Sequence, residues 1–252
     1  MIEIRNISLA FGSNRLITDA TAQFSSGNMV ALLGRNGTGK STLLRAMAGL
    51  GKVVAGDIVV DGKSLSTLSA TERAEYIAFV NTERVDVDAL TVRELVGIGR
   101  APYTNWIGRL TAEDNAVVEH AMEVTGVMKF AERKVNTLSD GEAQRSMIAR
   151  ALAQDTPIIL LDEPTSFLDL PNRYELCRLL SDLAHKENKC IIFSTHELDI
   201  ALSLADSIAL VDTPRLVHMP TAEMINSGNI ERLFDSEYIT FNASTGAIQL
   251  RR

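Results

Sequence analysis

The octapeptide Gly34-Arg35-Asn36-Gly37-Thr38-Gly39-Lys40-Ser41 follows the apolar run Met29-Val30-Ala31-Leu32-Leu33 and opens a helical pattern over Ser41 to Gly49. A strand that becomes a helix through one tight glycine-bearing loop is a unit of a helix-covered parallel sheet, and this constrains the chain more than any other feature. The loop also carries chemistry. Its glycines let backbone N–H groups close around phosphate oxygens, and the helix start adds favourable partial charge. The Lys40 ammonium can reach the outer phosphates of a nucleotide, and the Ser41 hydroxyl is a hard oxygen suited to Mg²⁺.

The rest of the chain agrees with a mostly parallel α/β architecture. Short β-branched runs predict strands over Ile2 to Ala10, Met29 to Leu33, Ile77 to Val80, Ile158 to Leu161, Cys190 to Ser194 and Ser207 to Val211. The later runs are apolar throughout, as suits strands buried on both faces. Helical spacing appears in Glu113 to Val124, Ala143 to Gln154 and Asn172 to Lys186, where Leu176, Leu179, Leu180 and Leu183 share one face. From about Val85 to Lys134 strand signals are weak, which predicts a helical lobe inserted in the sheet domain.

Composition excludes several classes. With 252 residues, 46% of them hydrophobic and 23% charged, the chain is not intrinsically disordered. It has no apolar run approaching the roughly eighteen residues of a spanning helix. Glu3, Arg5, Asn6 and Ser8 interrupt the place where a secretory signal would need its apolar core, so export is not expected. A net charge of −7 with dispersed Lys and Arg argues against a nucleic-acid partner. Cys177 and Cys190 lack metal-ligand spacing and are expected as small core residues in a reducing compartment.

Two further segments bear on phosphate chemistry. Ile158-Ile159-Leu160-Leu161 ends in Asp162-Glu163, and an open parallel sheet presents the carboxyl ends of its strands to the ligand crevice. Asp162 can hold Mg²⁺ through water, and Glu163 is placed to orient or deprotonate a water attacking the terminal phosphate. Leu138-Ser139-Asp140-Gly141-Glu142 precedes a helix, where Ser139 and Glu142 form a capping box.

The order of these motifs resembles the ATP-binding cassette ATPases, whose LSGGQ signature is matched here by LSDGE, with Asp140 and Glu142 as departures. The resemblance spans nearly the whole chain. It implies a P-loop NTPase fold in one domain over 1–252, with an N-terminal antiparallel β portion, a helical lobe at about 85–155 and a variable C-terminal segment at about 214–252. It implies Phe11 as the aromatic stacking on adenine, Gly34 to Thr42 as the remaining ATP contacts, and Ser166-Phe167-Leu168-Asp169 as the D-loop. His196, following Cys190 to Thr195, resembles the switch histidine at the γ-phosphate. It also implies a head-to-tail homodimer, with Ser139, Asp140, Gly141, Glu142 and Asp169 meeting the partner's ATP. The glutamine expected near the end of a sheet strand, a contact to Mg²⁺ or its water, falls on Thr82, with the neighbouring Asn81 as the alternative.

Gly99 to Val127 resembles the lobe of importer ATPases serving iron-siderophore, haem and cobalamin permeases. That implies Mg²⁺-dependent ATP hydrolysis on the cytoplasmic face of a membrane, beside integral-membrane permease subunits and, indirectly, a substrate-binding protein. Tyr103, Trp106 and Ile107 are equally readable as lobe packing or as a permease-docking surface. The alternative is a soluble cassette without a transport role, such as an iron-sulfur-assembly scaffold.

Overall fold

The computed structural model describes residues 1–81, 87–104 and 108–251. Strands β1 (Ile2–Phe11) and β2 (Asn14–Phe24) lead into β3 (Met29–Leu33) and helix α1 (Lys40–Met47). Then come β4 (Ala55–Val60), β5 (Lys63–Ser64), α2 (Ala70–Tyr76), β6 (Ile77–Val80), α3 (Val92–Gly97), α4 (Ala112–Val124) and α5 (Asp140–Ala153). The second half holds β7 (Ile158–Leu161), α6 (Leu170–His185), β8 (Cys190–Thr195), α7 (Leu198–Leu204), β9 (Ser207–Asp212) and β10 (Arg215–Pro220). Two short helices, α8 (Thr221–Asn226) and α9 (Asn229–Phe234), and the hairpin β11 (Ile239–Asn242) and β12 (Ala247–Leu250) end the chain.

The central sheet has the order β10-β9-β3-β8-β7-β6, parallel except for the β9–β10 hairpin. A separate antiparallel sheet, β2-β1-β4-β5, forms the N-terminal portion. Each parallel strand feeds both layers because its side chains alternate between faces. Met29, Ala31, Leu33, Ile159, Leu161, Ile191 and Phe193 join one core with α3 to α6, whereas Val30, Leu32, Ile158, Leu160, Cys190 and Ile192 join the other with α1 and the antiparallel sheet. Strands buried on both faces favour apolar residues at successive positions, which is why these runs were legible. Both cysteines are buried in these cores, and burial pushes each thiol up to about 12, so neither is a reactive thiolate.

Helices α2, α3, α4 and α5 all begin with a reciprocal capping box, at Ser69/Glu72, Thr91/Glu94, Thr111/Asp114 and Ser139/Glu142. Each satisfies donors that a helix start otherwise leaves free. Helix α1 differs: it starts at Gly39 with no side-chain cap and no acidic residue in its first turn. Among the described residues no helix is long and apolar enough to cross a membrane.

Candidate nucleotide-binding site

The loop between β3 and α1 is shaped by what cannot be added to it. A Cβ on Gly34 would lie 2.8 Å from both Thr38 Oγ1 and the Val211 carbonyl oxygen, so no larger residue fits without displacing the β9 backbone. Gly39, at φ 102, turns the chain into α1 in a conformation that side chains rarely adopt. Thr38 Oγ1 donates to the Arg35 carbonyl at 2.9 Å, and Thr213 Oγ1 donates to the Thr38 carbonyl at 3.1 Å, bracing the loop from within and from beyond β9.

Lys40 is only 5% exposed, and its ammonium donates to the carbonyls of Gly34 at 3.0 Å and Arg35 at 3.2 Å. Burial lowers its pKa, while Glu163 and Asp162 favour the charged form. Lys40 lines a cleft of about 440 Å³ together with Phe11, Asn14, Leu16, Asn36, Gly37, Gly39, Ser41, Thr42 and Glu163. Phe11, at the end of β1, is 75% exposed on its rim, presenting a free ring face. Arg35 is exposed beside the cleft and is not among its lining residues. The cleft residues Asn14 and Leu16 escape motif reasoning because they lie on β2, which the sequence pattern did not announce.

The carboxylates emerge from the neighbouring strand β7. Asp162 is 7% exposed, its N–H donates to the Val80 carbonyl at 2.9 Å, and its Oδ1 accepts from Ser41 Oγ at 2.9 Å and Ser194 Oγ at 2.7 Å. Glu163 turns into the left-handed region at φ 43, and its N–H donates to Ser194 Oγ at 2.8 Å. Its carboxylate accepts from Ser166 Oγ at 3.1 Å and lies 3.9 Å from Lys40 Nζ and 3.6 Å from His196 Nδ1. Ser41, Asp162, Glu163 and His196 are thus brought together at the carboxyl ends of adjacent parallel strands, where such sheets bind ligands.

The Ser139 helix start lies apart. Ser139 Oγ accepts from the Glu142 N–H at 3.4 Å, and the Glu142 carboxylate accepts from the Ser139 N–H at 2.9 Å and lies 3.4 Å from the Arg133 guanidinium. Those interactions, the backbone bond first, hold the Glu142 carboxyl below its ordinary range. Ser139, Gly141 and Glu142 line a second cleft of about 460 Å³ with Lys129, Arg145 and Asn172. None of these residues lines the Lys40 cleft. Asp140 opens α5, and Asp169 caps α6 by accepting from the Asn172 N–H at 3.1 Å.

Sequence reasoning also missed Arg173 and Glu197. Arg173 donates to the Leu168 carbonyl at 2.7 Å and to Glu197 at 2.6 Å, and Glu197 in turn accepts from Thr165 at 3.1 Å, clamping the segment between Glu163 and Asp169. No spacing pattern signals such a clamp. Thr82, Trp106 and Ile107 lie outside the described residues.

Residues 17–166 match the ABC transporter family. The chain belongs to that family. It is 37% identical over 250 residues to a cobalamin import ATP-binding protein of Halobacterium salinarum, covering 98% of this chain and 62% of that one. It is 32% identical over 242 residues to an iron(3+)-hydroxamate import ATP-binding protein of Bacillus subtilis, covering 95% and 90%. Among solved structures, a dimeric ATP-binding cassette in a post-hydrolysis state with ADP and Pi matches with a TM-score of 0.74 at 25% identity, over 88% of this chain and 99% of that one. The chain is therefore an ATP-binding cassette and an ATPase, as the motif order led one to expect.

Proposed function

We propose that this cassette powers a membrane importer for an iron chelate or cobalamin, working as a head-to-tail dimer against permease subunits on the cytoplasmic face, with a substrate-binding protein feeding the permease. The import roles of the Halobacterium and Bacillus relatives support the substrate class. The dimeric cassette similar to this chain supports the assembly. The observation that carries the catalytic reading is the convergence of Ser41, Asp162, Glu163 and His196 around a buried lysine at an uncapped helix start.

In this reading Phe11 stacks on the adenine, and the backbone of 34–42 with Lys40 holds the phosphates. Glu163 accepts the proton of the attacking water, and His196 donates a hydrogen bond to the terminal phosphate. Ser41, a cleft residue, and Asp162 present two hard oxygens within hydrogen-bond distance of each other, a donor set that fits Mg²⁺. Bound there, the ion would neutralise phosphate charge. The N-terminus of α5, Ser139 to Glu142, with Asp169 nearby, would act on the partner's ATP. We assign the segment around 85–155 to the permease-facing lobe within a single unit over 1–252.

The test is uptake by cells lacking the gene, measured with ⁵⁵Fe-siderophore and with labelled cobalamin. Wild-type protein should restore one of the two and Glu163→Gln neither; restoration by Glu163→Gln of the uptake that wild type restores would refute an ATP-driven role.

A further inference from the structure

Ser194 is the last residue but one of β8 and is fully buried, yet its hydroxyl sits between the two carboxylate-bearing residues of the site. Its Oγ donates to Asp162 Oδ1 at 2.7 Å and accepts from the Glu163 N–H at 2.8 Å. One hydroxyl offers a single donor and two acceptor positions, so this group ties the Asp162 side chain to the Glu163 backbone through one atom. It is the first hydroxyl in an otherwise apolar run, Cys190-Ile191-Ile192-Phe193, where the pattern of the strand calls for another aliphatic residue.

We propose that Ser194 is a positioning residue for hydrolysis. It fixes the Asp162 carboxylate for Mg²⁺ and locks the strained backbone turn that aims Glu163. This rests on the catalytic reading above. Two features support it. Ser41 also donates to Asp162 Oδ1, but Ser41 lines the cleft and its hydroxyl is within reach of a ligand. Ser194 lines no part of that cleft, so it acts through Asp162 and Glu163. Glu163, for its part, occupies a left-handed conformation at φ 43 that a glutamate adopts only when its surroundings hold it there. The Ser194 bond to its N–H and the Ser166 bond to its carboxylate supply that hold at both ends.

In Ser194→Ala both bonds are lost together: the Glu163 N–H is left without this partner, and Asp162 Oδ1 keeps its Ser41 bond but loses the shorter one from Ser194. Removing a group that orients a metal ligand typically lowers metal affinity or activity about 10- to 100-fold. The experiment measures three quantities on the full-length chain. They are Mn²⁺ affinity of the ADP complex by electron paramagnetic resonance, ATP affinity in EDTA, and kcat with Mg²⁺. Thermal unfolding confirms that the variant folds.

Ser194→Ala should weaken Mn²⁺ binding and lower kcat by about tenfold or more while leaving metal-free ATP affinity within about twofold. Lys40→Ala is run beside it. If Lys40→Ala abolishes turnover but Ser194→Ala keeps Mn²⁺ affinity and kcat within about twofold of wild type, the catalytic reading stands and the Ser194 role is wrong. If metal-free ATP affinity falls as far as Mn²⁺ affinity, the hydroxyl is structural only and the proposal is likewise overturned. If Lys40→Ala turns over normally, the fault lies in the catalytic reading itself.

Discussion

Two helix starts in this molecule present opposite electrostatics to their surroundings. Helix α1 begins at Gly39 with no side-chain cap, no acidic residue in its first turn and a buried lysine as its first residue. Helix α5 begins at Ser139 with a complete capping box and with Asp140 and Glu142 in its first turn. An uncapped start leaves its N–H groups and its positive partial charge to a ligand, whereas a capped, acidic start has answered both internally. The first is thus a finished anion site. The second reaches the same chemistry only if a partner's phosphate competes with Glu142 for the Ser139 region, helped by Lys129, Arg133 and Arg145 nearby. The two line different clefts of one chain, and the proposed head-to-tail dimer is the arrangement that would let them cooperate.

The largest expected effect lies at the first start. Lys40→Ala should lower hydrolysis by about 10²- to 10³-fold or more, because a preorganised charge on the transferring phosphate is removed, and a coupled ATPase assay reads it directly. Turnover above a tenth of wild type would break the comparison at its stronger side.

Gly141→Asp should come next. A Cβ there meets Asn172 Oδ1 at an ordinary 3.6 Å, so the chain should fold, but a third carboxylate at this start opposes the partner's phosphate. ATPase activity should fall about tenfold or more, with ATP affinity of the isolated chain unchanged, as measured by equilibrium dialysis. Phe11→Ala should weaken ATP binding about tenfold, in keeping with base–aromatic stacking worth about 1–3 kcal/mol, and should leave kcat at saturation nearly intact.

The smallest effect sharpens the second start. Glu142→Gln keeps a capping acceptor but removes a charge, so ATP-driven dimerisation should tighten a few-fold, within the range of one helix-terminal charge, about 0.3–1 kcal/mol. The same variant has a pH signature. Because the folded pKa of Glu142 is lowered, its contribution to stability is fully present above the unfolded carboxylate value, about 4.3, and is lost as pH falls through the lower folded value. Denaturation curves of wild type and Glu142→Gln should therefore keep a constant separation above about pH 5 and converge in acid.

The sequence announced the first start far better than the second region's surroundings. Residues 34–41 carry their meaning in spacing, and β3, β7 and the Cys190 to Phe193 part of β8 are apolar throughout because both faces are covered. Strand β2 stayed hidden for a physical reason. Its buried positions Ile17, Ala20, Ala22 and Phe24 change period at Asp19, where φ is 48 and the register with β1 shifts. A bulge of that kind breaks the alternation that makes a half-buried strand visible. With β2 went Asn14 and Leu16 of the cleft. Short edge elements such as β5, β10, β11 and β12 carry too little pattern to be read. The Ser194 bridge and the Arg173–Glu197 clamp are tertiary facts, set by which strand ends become neighbours, and only Ser194 left a trace, as a hydroxyl in an apolar run.

The joining of the two helix starts across a dimer is tested most directly by sedimentation or size exclusion with light scattering on Glu163→Gln and on Glu163→Gln combined with Gly141→Asp. With ATP and Mg²⁺, Glu163→Gln should accumulate as a dimer because closure outlasts the blocked chemical step. The double variant should bind ATP equally well and remain a monomer. A double variant that still dimerises with ATP would mean that the Ser139 helix start does not meet the partner's nucleotide.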